Sequence, residues 1–277
     1  TFGILFSILF EAIEFFKLRS FWYFLTGTVW SPGVTNSEFG ALPIFAGTFV
    51  ITIIALAVAI PIGLGSAIYM SEYASGKVRD YLKPLLEILA GIPTVVYGFF
   101  AAVTVAPFVV KVANFFGIEA TFNSALASGI VMGIMIIPLV SSLSDDVIRA
   151  VPDSQRKAAF GLGMTHGETI KNIVLPSAMP GIISASLLAL SRALGETMIV
   201  VMAAGLRPNL SWNPLDDMTT VTVTIVNSLV GDFEFNSPET LSAFALGLML
   251  FIVTLILNMI SLSLIRKFKE KYKVNTL

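Results

Sequence analysis

The sequence predicts an all-α integral membrane protein of six transmembrane helices, the first of them incomplete, and three observations predict it. Hydrophobic residues make up 56% of the 277-residue chain and charged residues only 13%, about half the charged share of a soluble domain; mean hydropathy is +0.86. Long apolar runs recur, each near the roughly 20 residues that a helix needs to satisfy its own backbone across hydrocarbon. Basic residues also divide unevenly between alternate connecting segments.

The runs justify the elements in order. Thr1–Phe10 is wholly apolar, but Glu11 and Glu14 follow it; ten residues are too few to span, and no basic segment precedes them as in a signal peptide. We read this as the outer half of a first helix that starts before residue 1. Gly47–Met70, Ile88–Val110, Ala125–Leu143 and Leu241–Leu264 each span with no Asp, Glu, Lys or Arg, whereas Ile182–Leu206 carries Arg192 and Glu196. Residues 1–46 thus form a partial helix and external linker, 47–265 the membrane domain with a loop at 144–180, and 266–277 a basic tail suited to an anionic leaflet.

Twelve of the seventeen Lys and Arg fall on one side: Lys77, Arg79 and Lys83; Arg149, Arg156, Lys157 and Lys171; Arg266, Lys267, Lys269, Lys271 and Lys273. Lys17, Arg19, Lys111 and Arg207 fall on the other. The 71–87 loop, the 144–180 loop and the C-terminus are therefore expected in the cytoplasm. Pro61, Gly63, Gly91, Pro93, Pro107 and Pro138 interrupt or bound the apolar runs. Each alone fits a packing kink; several together favour a bundle that moves.

A net charge of −1 gives no footing for nucleic acid, and zero Cys with a single His excludes a Cys- or His-based metal site. Asp145 and Asp146 lack a third ligand nearby and read as solvated charges or a helix cap. No cofactor and no metal are expected. No G-x-x-x-x-G-K-[ST] loop occurs, so ATP phosphates have no P-loop cradle here.

The 144–180 loop carries the most specific signal. Asp153 or Ser154 can cap a helix through Gly161, Gly163 breaks it, and a second short helix, 165–174, is expected to end before Pro176. This makes a helix–glycine–helix hairpin with an apolar edge of Ala159, Phe160 and Leu162; His166 within it reads as a surface contact. Lys157-Ala158-Ala159, then Gly163, then Ile173-Val174-Leu175-Pro176 resembles the EAA-x3-G-x9-I-x-L-P loop of bacterial ABC importer permeases. The resemblance implies a type I ABC importer permease fold, a transport subunit without catalytic residues of its own, and docking of this loop on a separate ATP-hydrolysing subunit. Lys157 stands where the family usually carries Glu, so a charged contact made by that Glu is either absent here or matched by a compensating change in the partner.

Arg192 and Glu196, four residues apart on one expected helix, share a face. Ionisable groups at this depth cost at least about 2.5–3.5 kcal/mol each, so they either lock the helix to its neighbours or line a wet path. In the second case Arg192 attracts a tetrahedral oxyanion through its paired N–H donors and Glu196 holds or releases it. Arg192-Ala193-Leu194-Gly195-Glu196-Thr197-Met198 resembles a run in phosphate (Pst) importer permeases. Glu87–Gly98, Met135–Pro138, Ser144–Asp146 and Gly40–Thr48 are similar to the C-type subunit of that system, and the likeness covers residues 38–265.

The resemblance implies an A-type sister permease, an ATP-binding subunit dimer and a phosphate-binding protein outside, with Arg192, Glu196 and Thr197 on the path. The Arg207–Glu239 stretch would meet that binding protein, or serve only as a lid; its Thr219–Val230 portion can form a helix on or in the membrane surface. Asp216, Asp217, Asp232 and Glu234 would make the outer mouth negative. An importer of molybdate or sulfate is the nearer alternative. An ATP-independent channel or carrier is the more distant one.

Overall fold

The computed structural model describes residues 2–33, 37–230, 234 and 236–271. Its regular structure is helical apart from one antiparallel pairing among the described residues, β1 (Trp30–Ser31) with β2 (Glu38–Phe39), in the register Trp30 opposite Phe39. Two compact units share the chain: Thr1–Ala55, Pro93–Met132 and Leu194–Leu255 form the first, and Leu56–Ile92, Gly133–Ala193 and Ile256–Leu277 the second.

Five helices among the described residues are long and apolar enough to cross a membrane: α3 (Leu42–Tyr73), α5 (Thr94–Phe115), α6 (Ala125–Arg149), α8 (His166–Leu194) and α11, whose apolar portion is Pro238–Lys267. The first helix, α1 (Phe2–Leu18), has 17 residues and falls outside that set. Glu11 and Glu14 do not end it: both sit within its turns, and Glu14 pairs with Lys17 one turn on. The short α2 (Phe21–Thr26) follows.

Two expected spans are displaced. The run beginning at Ile88 is divided, because Gly91, Ile92 and Pro93 separate α4 (Gly76–Ala90) from α5; the 71–87 segment is thus largely helix rather than loop. The fifth span lies earlier than 182–206. It starts at His166, runs through Pro176 and stops at Leu194. Pro176 fails to end the helix because a π turn, Ile170–Val174, precedes it: the Leu175 N–H donates five residues back, to the Ile170 carbonyl. Where such a turn returns to ordinary spacing one donor fewer is needed, and a residue without an N–H fits. α5 repeats the device. Its π turn Ala101–Val105 closes with the Ala106 N–H on the Ala101 carbonyl, and Pro107 comes next.

In the first unit an aromatic core forms where α1 and α2 meet the β pair. Phe15 packs edge-on to Phe24 at 5.4 Å and to Phe39 at 5.5 Å between ring centres, and Trp30 meets Phe39 at 5.5 Å. Buried Thr48 on α3 accepts the N–H of Val221 (3.0 Å), which starts α10 (Val221–Val230). α10 buries Val221, Val223, Thr224 and Ser228 in this unit.

In the second unit Ala67, Ile148, Val151, Val174, Ala178 and Ile182 join α3, α6 and α8 in one apolar core. The helices approach closely at Gly63, where a Cβ would lie 2.8 Å from the Val140 Cβ. α4 buries none of its own residues and is tied to α6 by charge. Arg79 donates to Asp145 Oδ2 from Nη2 (2.8 Å) and Nε (3.2 Å), while Lys83 pairs with Asp146. Asp145 is therefore a fully buried ion-pair partner, not a solvated charge or cap. Its hydrogen bond holds the Arg79 guanidinium above its ordinary pKa, because a carboxylate at this distance favours the charged form.

Asp145→Ala should destabilise the purified protein in detergent by about 2–3 kcal/mol, below the full cost of breaking a buried pair because Arg79 keeps water access. Unfolding of the variant against the parent chain checks this; an unchanged transition would mean that the pair holds nothing.

Candidate functional site

A helix–glycine–helix turn lies where the sequence predicts one, but neither Asp153 nor Ser154 caps its first helix, whose N-cap position is Pro152 with no side-chain bond, and its second arm is the beginning of α8 rather than a separate short helix. α7 (Asp153–Gly161) ends with Gly163 at φ +81°, a backbone region that favours glycine. The Gly163 N–H reaches the Phe160 carbonyl (3.0 Å) and the Met164 N–H the Ala159 carbonyl (3.2 Å), the paired bonds of a Schellman cap. Thr165 then caps α8. Its hydroxyl accepts the Glu168 N–H, and Glu168 Oε2 accepts the Thr165 N–H at 2.8 Å, a reciprocal box written in the sequence as Thr-x-x-Glu.

The motif residues fall on different sides of this hairpin. Lys157 and Ala158 are exposed, Ala159 is buried, and Gly163 faces open space. Ile173, Leu175 and Pro176 are half-buried on α8. Of the expected apolar edge, Phe160 and Leu162 project outward while Ala159 packs inward. His166 is partly exposed, stacks on Phe160 and meets Tyr73 edge-on at 5.1 Å.

Sequence reasoning missed one pair here. Arg156 donates from Nη2 to Glu72 Oε1 (2.8 Å) and to the Ile148 carbonyl (3.0 Å), and from Nη1 to Asp153 (3.3 Å) and the Val151 carbonyl. Glu72 is nearly buried and also lies 3.8 Å from His166 Nε2. The partners are 84 residues apart; a lone carboxylate closing an apolar run was the only local signal.

Arg192 and Glu196 do not share a helix. α8 ends at Leu194, and the Glu196 carboxylate accepts the N–H groups of Met198 (3.1 Å) and Ile199 (3.4 Å), starting the short α9 (Met198–Ala203). An acidic group favours a helix N-terminus, so the side chain expected to face Arg192 opens a new helix. The main chain of Glu196 accepts the Thr222 hydroxyl at 2.8 Å. Thr197 is half-buried and its side chain makes no cap bond.

Arg192 is exposed at a cavity of about 490 Å³ lined by Ala90, Met135, Leu139, Leu188, Ser191 and Arg192 itself. Its Nη2 lies 3.9 Å from the Met135 sulfur, and no described carboxylate of its unit is within ion-pair distance. A guanidinium with donors to spare, beside one hydroxyl and an apolar wall, suits an anion.

In the 207–239 stretch, Asp216 is not a free mouth charge: it accepts from Ser211 and from Asn213 Nδ2 (2.8 Å) and so orders the loop. Asp217 lies 3.8 Å from Arg207. Glu234 is exposed. Asp232 and tail residues 272–277 lie outside the described residues.

Residues 59–273 match the family model described as binding-protein-dependent transport system inner membrane component. The chain is 34% identical over 251 residues to the probable ABC transporter permease protein YqgH of Bacillus subtilis, covering 91% of this chain and 78% of that protein. It is 32% identical over 288 residues to the phosphate transport system permease protein PstC 1 of Mycobacterium tuberculosis, covering 93% and 85%. In fold it is similar to a chain of a bacterial ABC transporter involved in import of the acidic polysaccharide alginate, with TM-score 0.61, 15% identity and 96% of each chain covered.

Gly163→Ala forces a side chain into the left-handed region at about 1–2 kcal/mol. Amides of residues 153–170 should then exchange with solvent about 5–30 times faster, read by hydrogen–deuterium exchange; unchanged exchange would mean that the cap does not hold the hairpin.

Proposed function

The chain belongs to the family of binding-protein-dependent transport system inner membrane components, and from that premise we infer that it is the C-type permease subunit of an ATP-driven importer of inorganic phosphate. As a family member it is a multi-pass inner-membrane transport component of an ABC importer and not itself an enzyme. The observation that carries the phosphate reading is the unpaired Arg192 guanidinium at an apolar cavity, in a chain whose relatives include phosphate transport system permeases.

In this reading a binding protein delivers the anion outside, and Arg192 receives it within a path shared with an A-type sister subunit. Glu196, whose carboxylate sets where α9 begins, and Thr197 belong to the same proposed path. The exposed hairpin residues Lys157, Ala158, Phe160 and Leu162 meet an ATPase dimer, while Gly163, Ile173, Leu175 and Pro176 give the hairpin its form. Switching between outward and inward states requires the anion to bind them unequally. The hairpin and the C-terminus face the cytoplasm, as the Lys and Arg distribution supports.

Arg192→Gln should lower phosphate uptake about tenfold or more, since a hydrogen bond to a charged group is worth about 1.5–3 kcal/mol, while the variant still co-purifies with its ATPase. Uptake of labelled phosphate in cells with no other high-affinity route checks this. Full uptake by the variant would remove Arg192 from the path; loss of assembly would give it a locking role instead.

A further inference from the structure

α3 does not end as a plain helix. Its last turn, Tyr69–Tyr73, is a π turn closed by the Ala74 N–H on the Tyr69 carbonyl at 2.8 Å. Single π turns within α-helices concentrate at functional positions, because the extra residue re-aims the side chains around it. Glu72 lies in this turn with its side chain 6% exposed, which is costly for a carboxylate unless it is paired. Its pairing partner is Arg156, on the hairpin helix α7.

Arg156 is spoken for on three sides. Its Nη2 donates to Glu72 and to the Ile148 carbonyl near the end of α6, and its Nη1 donates to the Val151 carbonyl and to Asp153. One planar guanidinium therefore joins the foot of α3, the C-terminal end of α6 and the start of α7. Its five fixed donors make it far stiffer than a lysine in that place. Beside it, His166 at the start of α8 lies 3.8 Å from Glu72 Oε2 and meets Tyr73, the next residue of α3, edge-on. The adjoining residues, Lys157 and Ala158, are exposed and free for a partner. The hairpin surface is thus joined to α3 through one guanidinium.

We propose that Glu72 and Arg156 are positioning residues for coupling: their ion pair hands movement of the 153–165 hairpin to α3, so that ATP hydrolysis in the partner changes the membrane-spanning helices. This rests on the importer reading above and adds the route by which the hairpin acts. The two residues touch neither the anion nor ATP. Losing the pair should leave both partial reactions possible and loosen the link between them.

The test uses the complete complex, this chain with its sister permease, ATPase subunits and binding protein, reconstituted in proteoliposomes, with phosphate uptake and ATP hydrolysis measured together. Glu72→Gln and Arg156→Gln should still co-purify with the ATPase, yet move about fivefold or more less phosphate per ATP, the lower end of typical coupling between sites. The double variant should fall no further than Arg156→Gln alone, because the part of the link that runs through Glu72 is already lost with its partner. An unchanged ratio, or losses that multiply in the double variant, would overturn the proposal. Failure of all three variants to assemble would also overturn it, reducing the pair to a fold support. If the parent complex moves no phosphate, the importer reading fails and this inference with it; a working parent with unaffected variants sinks the link alone.

Discussion

Hydrocarbon offers a backbone N–H or C=O no partner, so a chain in it must close its own hydrogen bonds, and the architecture here follows from how it does so where the sequence breaks the helical pattern. Pro107 and Pro176 stand one residue beyond the residue that closes a π turn, so each missing donor falls where the bonding register changes. α5 and α8 thereby keep Pro107 and Pro176 within them, while Pro61, Pro138 and Pro180 lie inside α3, α6 and α8 without a π turn just before them. At Gly91–Pro93 and at Gly195 no such device operates, and the chain begins new helices instead. The second of these breaks matters most. It leaves Arg192 at the end of α8 and gives Glu196 to the N-terminus of α9.

The same economy governs charge. Asp145 and Glu72 are buried, and each is bound by an arginine from a distant part of the chain. Both pairs lie in one unit, and each ties a helix that follows or ends α3 to the segment around the end of α6. Removing either partner would leave an uncompensated charge in a poor solvent, which costs more than the pair contributes. Arg192 is treated differently: its neighbours in the cavity are thioether, alkyl and hydroxyl groups. Asp145 and Glu72 each have an arginine partner, whereas no described carboxylate of its unit pairs with Arg192; the proposed anion contact rests on that difference.

Much of the fold was legible because spanning length and apolar content do not depend on distant contacts. The cores of α3, α6 and α11 lie where their apolar runs place them. The turn of the hairpin was legible for a similar reason, since Gly163 acts locally, whereas the expected Asp153 or Ser154 cap and the stop before Pro176 did not appear. Errors came where a local rule met a local exception: Pro176 was absorbed by a π turn that nothing in its composition announces. The Arg192–Glu196 spacing suggested one helical face, but a carboxylate that can cap a following helix has a competing use. Arg79–Asp145 and Arg156–Glu72, at 66 and 84 residues' separation, have no sequence period and emerge only from the folded chain. Chain similarity supplied the family; the substrate rests on Arg192 and on the relatives together.

The measurement that bears most directly on this account is uptake of labelled phosphate by proteoliposomes containing the complete complex, with ATP present or withheld and with sulfate and molybdate in excess. The account predicts uptake that requires ATP and is unmoved by either competitor. Uptake without ATP, or uptake suppressed by sulfate or molybdate, would contradict it.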